Sequence, residues 1–342
     1  MPEPHEHSAD GCSRRAFLAL GASCGAHLLL LARAQPAAAQ RAWRVADPRR
    51  VVAQEPWGRI EQLAPGVWAL VSTPLQDRLT LCNAAIVAGS ARLVVVEACA
   101  STAGAHWLLG QAERLVGRRV DDVVVTHYHS DHTGGVGSGG VGEAGAEGTS
   151  LPGLQATSAT LDLVRADDVR RQRAPDAART AALANARLLA ADGPTTLDLG
   201  GRTLRIVPRT GHTASDLSIE LDDPSLVIAG DLLWNGMFPN YVDAVPSALA
   251  RSVRALVRER ETIYVPGHGA SADPAAVARY LEVLDLVEAA ARRAHERGVA
   301  AADAAREFAL PPSLGEWLMF SPRYYEVALG AWERELRGPA PG

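Results

Sequence analysis

Within six residues the chain places four side chains that bind cations, in the string His127-Tyr128-His129-Ser130-Asp131-His132. The apolar run Val123-Val124-Val125 precedes it by one threonine, and Thr133-Gly134-Gly135 follows. A strand turns alternate side chains to one side, so His127 and His129 can point the same way at its exposed end. The turn that follows swings Asp131 and His132 back toward the same spot. Neutral imidazole and carboxylate are ligands of a zinc-type cation, and iron and manganese accept the same donors. Four ligands so close together fill only part of two tetrahedral shells, so further ligands must come from distant sequence. His212 in Thr210-Gly211-His212-Thr213, Asp231 in Ala229-Gly230-Asp231 and His268 in Pro266-Gly267-His268-Gly269 meet that need. Each follows an apolar run and abuts a glycine, as expected where a strand ends and backbone crowds a site. The other five of the ten histidines (His5, His7, His27, His106 and His295) fall in the N-terminal segment or on expected helix faces.

The elements that must position these residues are short apolar runs bounded by Gly, Pro and Asp, which read as strands. They span Val67 to Val71, Ala84 to Val87, Leu93 to Val96 and Val123 to Val125, then Leu204 to Val207, Leu217 to Leu221, Leu226 to Ala229 and Ile263 to Val265. Helical stretches lie between and after them: Ala103 to Val116, Ser158 to Gln172, Ala177 to Ala191, Ser247 to Arg260 and Pro274 to Glu296. Two batches of strands, each with helices, imply an α/β sheet sandwich covered by helices on both faces. From Gly134 to Gly153 nine of twenty residues are glycine, a composition that reads as a flexible loop. The aromatic residues from Trp317 to Trp332 sit at spacings that suit amphipathic helices, implying a helical C-terminal extension that either packs as core or covers the site.

The ordered set of an H-x-H-x-D-H string, then G-H-T, G-D and G-H-G resembles the metallo-beta-lactamase superfamily over roughly residues 60 to 290. The resemblance implies a four-layer αβ/βα sandwich with the site at one edge of the two sheets, here over residues 56–296 with the helical extension at 297–342. It implies that His127, His129 and His212 form one metal site, that Asp131, His132 and His268 form a second, and that Asp231 bridges both. Two Zn2+ ions held so would lower the pKa of a shared water, and the resulting hydroxide attacks a carbonyl or phosphoryl centre. Asp131, besides ligating, would orient that nucleophile as the catalytic residue. A bridging aspartate at position 231 resembles the thioesterases, lactonases and phosphodiesterases of the family more than its antibiotic-cleaving members. The expected function is therefore hydrolysis of an ester, thioester, lactone or related bond in a small-molecule substrate. The alternatives are a periplasmic beta-lactamase, or a non-catalytic metal- or cofactor-handling partner of a periplasmic quinoprotein system, whose zinc metallohydrolases share this layout. One departure stands out: Glu97-Ala98-Cys99 follows a strand where the family often has an aspartate, so the hydrogen bonds behind the ligands are expected to differ there. Behind Asp231, the residues Trp234, Phe238 and Tyr241 either wall an apolar acyl pocket or fill core.

Composition narrows the function further. The 342 residues carry 39 acidic and 34 basic side chains, all of the latter arginine, for a net charge of -5 with no basic run longer than two. Nucleic-acid binding by a basic surface is therefore not expected. Residues 1–39 place Arg14-Arg15 before a mildly apolar run from Ala16 to Leu31 and end in Ala37-Ala38-Ala39, the pattern of a twin-arginine export signal with its cleavage site. The run is short of the roughly twenty residues a membrane span requires. A periplasmic location follows as an expectation, with membrane contact through the signal peptide alone; no oligomeric state is implied. Four cysteines without a C-x-x-C pair disfavour a thiol redox centre. A hairpin that pairs Ala88 with Leu93 would set Cys82 opposite Cys99, as a disulfide or as two buried thiols.

Overall fold

Strands whose two faces are both apolar require cover on both sides, and the two sheets of this chain obtain it from each other and from helices. The computed structural model describes residues 49–73, 76, 78–137, 141, 152–258 and 261–338. The export-signal reading of residues 1–39 lies outside the described residues. The first sheet runs β1 (Arg50–Glu55), β2 (Gly58–Ala64), β3 (Val67–Ser72), β4 (Ala84–Ala88), β5 (Leu93–Val96), β6 (Asp122–Val124), β7 (Gly153–Thr157) and β8 (Arg187–Leu189), side by side in sequence order. It is antiparallel through β5 and parallel from there on. The second sheet contains β9 (Thr195–Asp198), β10 (Thr203–Arg209), β11 (Asp216–Leu221), β12 (Leu226–Trp234) and β13 (Ile263–His268), in the order β13-β12-β11-β10-β9. Parallel neighbours need a crossover, supplied by α1 (Thr102–Val116) between β5 and β6 and by α5 (Pro246–Leu256) between β12 and β13. Between these helices come the single turn α2 (Ser130–Thr133), then α3 (Ser158–Arg170) and α4 (Ala177–Ala184). After β13 come α6 (Pro274–Glu296), α7 (Ala301–Glu307) and α8 (Tyr324–Arg337).

The alternation of side chains along each strand sorts the core into three slabs. Ile86, Leu93 and Val95 pack with Leu108, Leu109 and Ala112 of α1 on the outer side of the first sheet. Their neighbours Ala85, Val87, Val94 and Val96 meet Leu204, Ile206, Leu217 and Ile219 between the sheets. On β12, Leu226 and Ile228 face inward, while Val227 and Ala229 face Leu249, Val253, Val277 and Leu284 of α5 and α6. Each such fully buried aliphatic side chain contributes about 1.5–3 kcal/mol relative to exposure. The result is the expected order of helices, sheet, sheet and helices. Helix ends follow local chemistry: Ser101 and Asp273 accept the Gly104 and Ala276 N–H groups at the starts of α1 and α6, and Gly117 in the left-handed region stops α1.

Several expectations need correction. The helix expected from Ala177 to Ala191 ends at Ala184, because the chain then runs out along the sheet edge as β8 and buries Leu189 between the sheets. The strand expected to end at Ala229 continues to Trp234, and β1, β2, β7 and β9 add strands to those expected. The start of the glycine-rich stretch is not a loose loop. Gly134 to Gly137 are buried, and a Cβ on Gly134 or Gly135 would lie 2.1 Å from the Ala100 or Ala98 carbonyl oxygen. Trp234, Phe238 and Tyr241 are buried and fill core, as do Leu314, Phe320, Tyr324 and Trp332 of the C-terminal extension. The hairpin register runs from Ala88 opposite Leu93 to Ala85 opposite Val96, as the sequence implied. Cys82 and Cys99 are buried free thiols, with burial and a hydrogen bond to Cys99 holding the Cys82 thiol well above its usual pKa. Among the described residues no helix is long and apolar enough to cross a membrane.

Candidate metal centre

Strand ends from both sheets converge at one edge of the sandwich. His127 and His129 follow β6, Asp131 and His132 sit in α2, His212 lies between β10 and β11, Asp231 lies within β12, and His268 is the last residue of β13. Asp231 thus sits inside a strand that bulges at Gly230 rather than after its end. All seven residues are buried. They fall into two groups, His127, His129, His212 and Asp231, and Asp131, His132, Asp231 and His268, the candidate ligand atoms of each lying within 4.8 Å of one another. Every residue the sequence singled out is brought into the cluster.

In the first group His127 Nε2 lies 3.1 Å and His212 Nε2 2.9 Å from His129 Nδ1. Asp231 Oδ2 lies 3.2 Å from His212 Nε2 and 3.8 Å from His127 Nε2. In the second, His132 Nε2 is 3.1 Å from Asp231 Oδ1, and Asp131 Oδ2 is 3.3 Å from His268 Nε2 and 3.6 Å from His132 Nε2. Donors about 2.0–2.1 Å from a tetrahedral cation stand about 3.3 Å apart, so the spacing suits one ion per group. Three of these atoms, His132 Nε2, His268 Nε2 and Asp231 Oδ1, are buried without a hydrogen-bond partner, an arrangement that costs free energy unless something charged engages them. The donor set, its spacing and its orphaned atoms fit a pair of divalent cations.

The electrostatics agree. Burial, aided by the neighbouring His132, pushes His127 well below the usual imidazole range, and burial brings His212 down to about 4, so both present neutral lone pairs. Burial alone would also lower His132 and His268. Asp231 and Glu97 outweigh it at His132, and the negative charge of Asp231 with that of Asp131 raises His268 to about 9. Burial would raise Asp131 and Asp231, but the surrounding imidazoles hold both well below the carboxylate range. Anionic carboxylates concentrated in a buried pocket call for positive charge, and divalent cations supply it.

A second layer of residues orients the ligands. Glu97 accepts the Thr126 hydroxyl at 2.5 Å and the Thr126 N–H at 3.2 Å, and its Oε1 lies 3.2 Å from His132 Nδ1. The Thr126 hydroxyl, having donated to Glu97, accepts from His127 Nδ1 at 3.1 Å and leaves His127 Nε2 facing the cluster. The longer glutamate therefore takes the place the resemblance gives to an aspartate, held with φ +82°. Arg179, buried and paired with Asp168, donates to the Thr133 and Val136 carbonyls and pins the segment that follows α2. His268 is gripped by rings instead, Trp234 at 4.4 Å and Phe320 of the C-terminal extension at 6.1 Å. Asp243 reaches His129 from a loop 114 residues away, where no motif marks it, and also accepts the hydroxyl of Tyr128, the middle residue of the H-x-H string.

Comparison with known proteins is consistent throughout. Residues 77–138 and 156–268 match the profile of the Metallo-beta-lactamase superfamily. A hydroxyacylglutathione hydrolase from Acidiphilium cryptum is 29% identical over 214 residues, covering 62% of this chain and 74% of the relative. A metallo-beta-lactamase from Pontibacter korlensis superposes with a TM-score of 0.51 at 19% identity, over 67% of this chain and 99% of that one. One from Erythrobacter litoralis superposes with 0.52 at 21% identity, over 69% and 99%. The profile match, the sandwich and the paired ligand groups lead to one assignment: the chain belongs to the metallo-beta-lactamase superfamily of metallo-hydrolases.

Proposed function

We propose that this chain is an exported hydrolase with two zinc ions that cleaves an ester, thioester or lactone bond of a small molecule. The observation that carries the reading is the pair of buried ligand groups sharing Asp231. His127 Nε2, His129 Nδ1, His212 Nε2 and Asp231 Oδ2 would hold one ion, and His132 Nε2, His268 Nε2, Asp131 and Asp231 the other. Bound there, the ions would supply Lewis-acid polarisation of a carbonyl oxygen and a water of lowered pKa near neutrality. Asp131 stays a carboxylate and would accept a hydrogen bond from a water at the centre, orienting it toward the carbonyl carbon. His132 and His268 fix the position of Asp131, and Asp231 keeps the two groups in register. The thioester is favoured within this range because a hydroxyacylglutathione hydrolase is 29% identical to this chain over 214 residues. The paired arginines of the N-terminal segment support export.

The test is hydrolysis by the zinc-loaded chain of four chromogenic probes: an acyl thioester, a lactone, a cephalosporin and a phosphodiester. Asp131→Asn serves as the blank. Thioester or lactone cleavage that vanishes in a folded Asp131→Asn variant is expected. Cleavage of the cephalosporin alone would replace this reading with a beta-lactamase, and turnover retained by folded, metal-loaded Asp131→Asn would remove the role given to Asp131.

A further inference from the structure

We propose that Asp243 is a positioning residue that fixes which nitrogen of His129 faces the first ligand group. The inference rests on the metal-site reading above and concerns a residue outside every motif of the chain. His129 turns Nδ1 toward His127 Nε2 at 3.1 Å and His212 Nε2 at 2.9 Å, and turns Nε2 the other way, onto Asp243 Oδ2 at 3.0 Å. The same oxygen accepts the Tyr128 hydroxyl at 2.6 Å. A carboxylate oxygen that takes two hydrogen bonds can only accept, so the proton of neutral His129 belongs on Nε2 and the lone pair on Nδ1 faces inward. Tyr128, the middle residue of the H-x-H string, is buried and brings its hydroxyl to that oxygen, so the string carries its own brace for the carboxylate.

The backbone that carries Asp243 is tied at both ends. The Phe238 N–H donates to the Leu318 carbonyl of the C-terminal extension at 2.8 Å, and the Leu318 N–H returns to the Gly236 carbonyl at 3.0 Å. Beyond Asp243, the Val245 N–H donates to the carbonyl of Gly211, the residue before His212, at 2.9 Å. One strap of chain thus grips His129 by a side chain and the His212 loop by its backbone. The second group has separate support from Glu97 and from the rings of Trp234 and Phe320. Loss of the Asp243 carboxylate therefore weakens one group and spares the other.

The experiment titrates zinc into the metal-free chain against a chromophoric chelator and records the absorption of the cobalt-substituted protein, for the parent, Asp243→Ala and Asp243→Asn. The parent takes up two equivalents; failure there would overturn the metal-site reading itself and not this inference. In Asp243→Ala one equivalent retains parental affinity and the other weakens about 10–100-fold, the usual effect of removing a partner behind a ligand. Asp243→Asn keeps an acceptor oxygen and binds more like the parent than like the alanine variant. Two parental affinities in Asp243→Ala, or equal weakening of both together with a lower melting temperature of the metal-free chain, would overturn the proposal. So would an asparagine variant as weak as alanine.

Discussion

Replacing Gly267 with alanine should disable the centre while leaving the fold standing. A Cβ on Gly267 would lie 1.8 Å from Asp231 Oδ1 and 2.9 Å from both the Asp231 Cγ and its backbone nitrogen. Ordinary contact begins at 3.4 Å, so the two must part by about 1.6 Å, the difference of those distances. Backbone on one side and the Asp231 carboxylate on the other bear that motion, and the carboxylate is the softer of the two. Its oxygens stand 3.1 Å from His132 Nε2 and 3.2 Å from His212 Nε2, so the displacement is about half the spacing that defines each ligand group. Misplacement by about 1 Å is worth about 10²-fold in rate, so turnover should fall by at least that much, with less than two equivalents of metal bound. Overpacking costs about 1–3 kcal/mol, a drop of a few degrees in melting temperature, which a fold of this size survives. The assay combines metal content by atomic emission, hydrolysis of whichever probe the parent cleaves, and thermal melting. Gly110→Ala is the control: it lies exposed inside α1 with nothing within 4 Å of the added methyl, and should stabilise by about 0.5–1 kcal/mol with metal and turnover unchanged. A Gly267→Ala protein with two metals and parental turnover would refute the argument.

Other perturbations bear on the supports of the site. Glu97→Ala strands the Thr126 N–H and hydroxyl in the interior at about 1–3 kcal/mol each and removes the partner of His127, through Thr126, and of His132, so metal binding should weaken about 10–100-fold in a chelator competition. Undiminished affinity would show that Glu97 orients nothing. Phe320→Ala opens a cavity beside His268 and Trp234, for a loss of about 3–5 kcal/mol in urea unfolding. It should also weaken metal binding at the second group more than at the first, and equal weakening would sever the extension from the site. Asp216, buried and bonded to Thr213, titrates in the fold at about 7 against 3.8 when exposed, because burial disfavours its charge. The folded chain therefore holds this proton more tightly than the unfolded one, and the stability linked to it falls as pH rises from about 4 to about 7 and is level above. Asp216→Asn should accordingly raise the melting temperature increasingly from pH 5 to pH 8, and a gain independent of pH would contradict the assignment.

The ligands were legible because each sits beside a local signal: an apolar run that ends in histidines, or a glycine where backbone crowds a charge. Local order also set the hairpin of β4 and β5 and most helices, since periodicity and caps act over a few residues. The four-layer sandwich and the grouping of the seven candidate ligands came from resemblance to a family rather than from spacing; the fold bears out the sandwich and brings the seven side chains into two adjoining groups. Other features had no local mark. β8 and β9 are short, half-exposed edge strands whose sequence carries little alternation, so pairing with a neighbour decides them. Glycines that read as slack are packed at Gly134 and Gly135 because the Ala98 and Ala100 carbonyls close on them, which spacing along the chain cannot reveal.

What the sequence determined by itself is the identity of the candidate donors and the strands that carry or precede them, because ligand chemistry and hydrophobic alternation are properties of residues and their near neighbours. What only the tertiary structure decided is how each imidazole is aimed. Thr126 and Glu97 turn His127, Asp243 and Tyr128 turn His129, and Trp234 with Phe320 of the extension grips His268. These partners come from residues as much as 114 positions away from the ligand they hold, as with Asp243 and His129. A hydrogen bond or ring contact requires angstrom proximity in space and leaves no period in the chain.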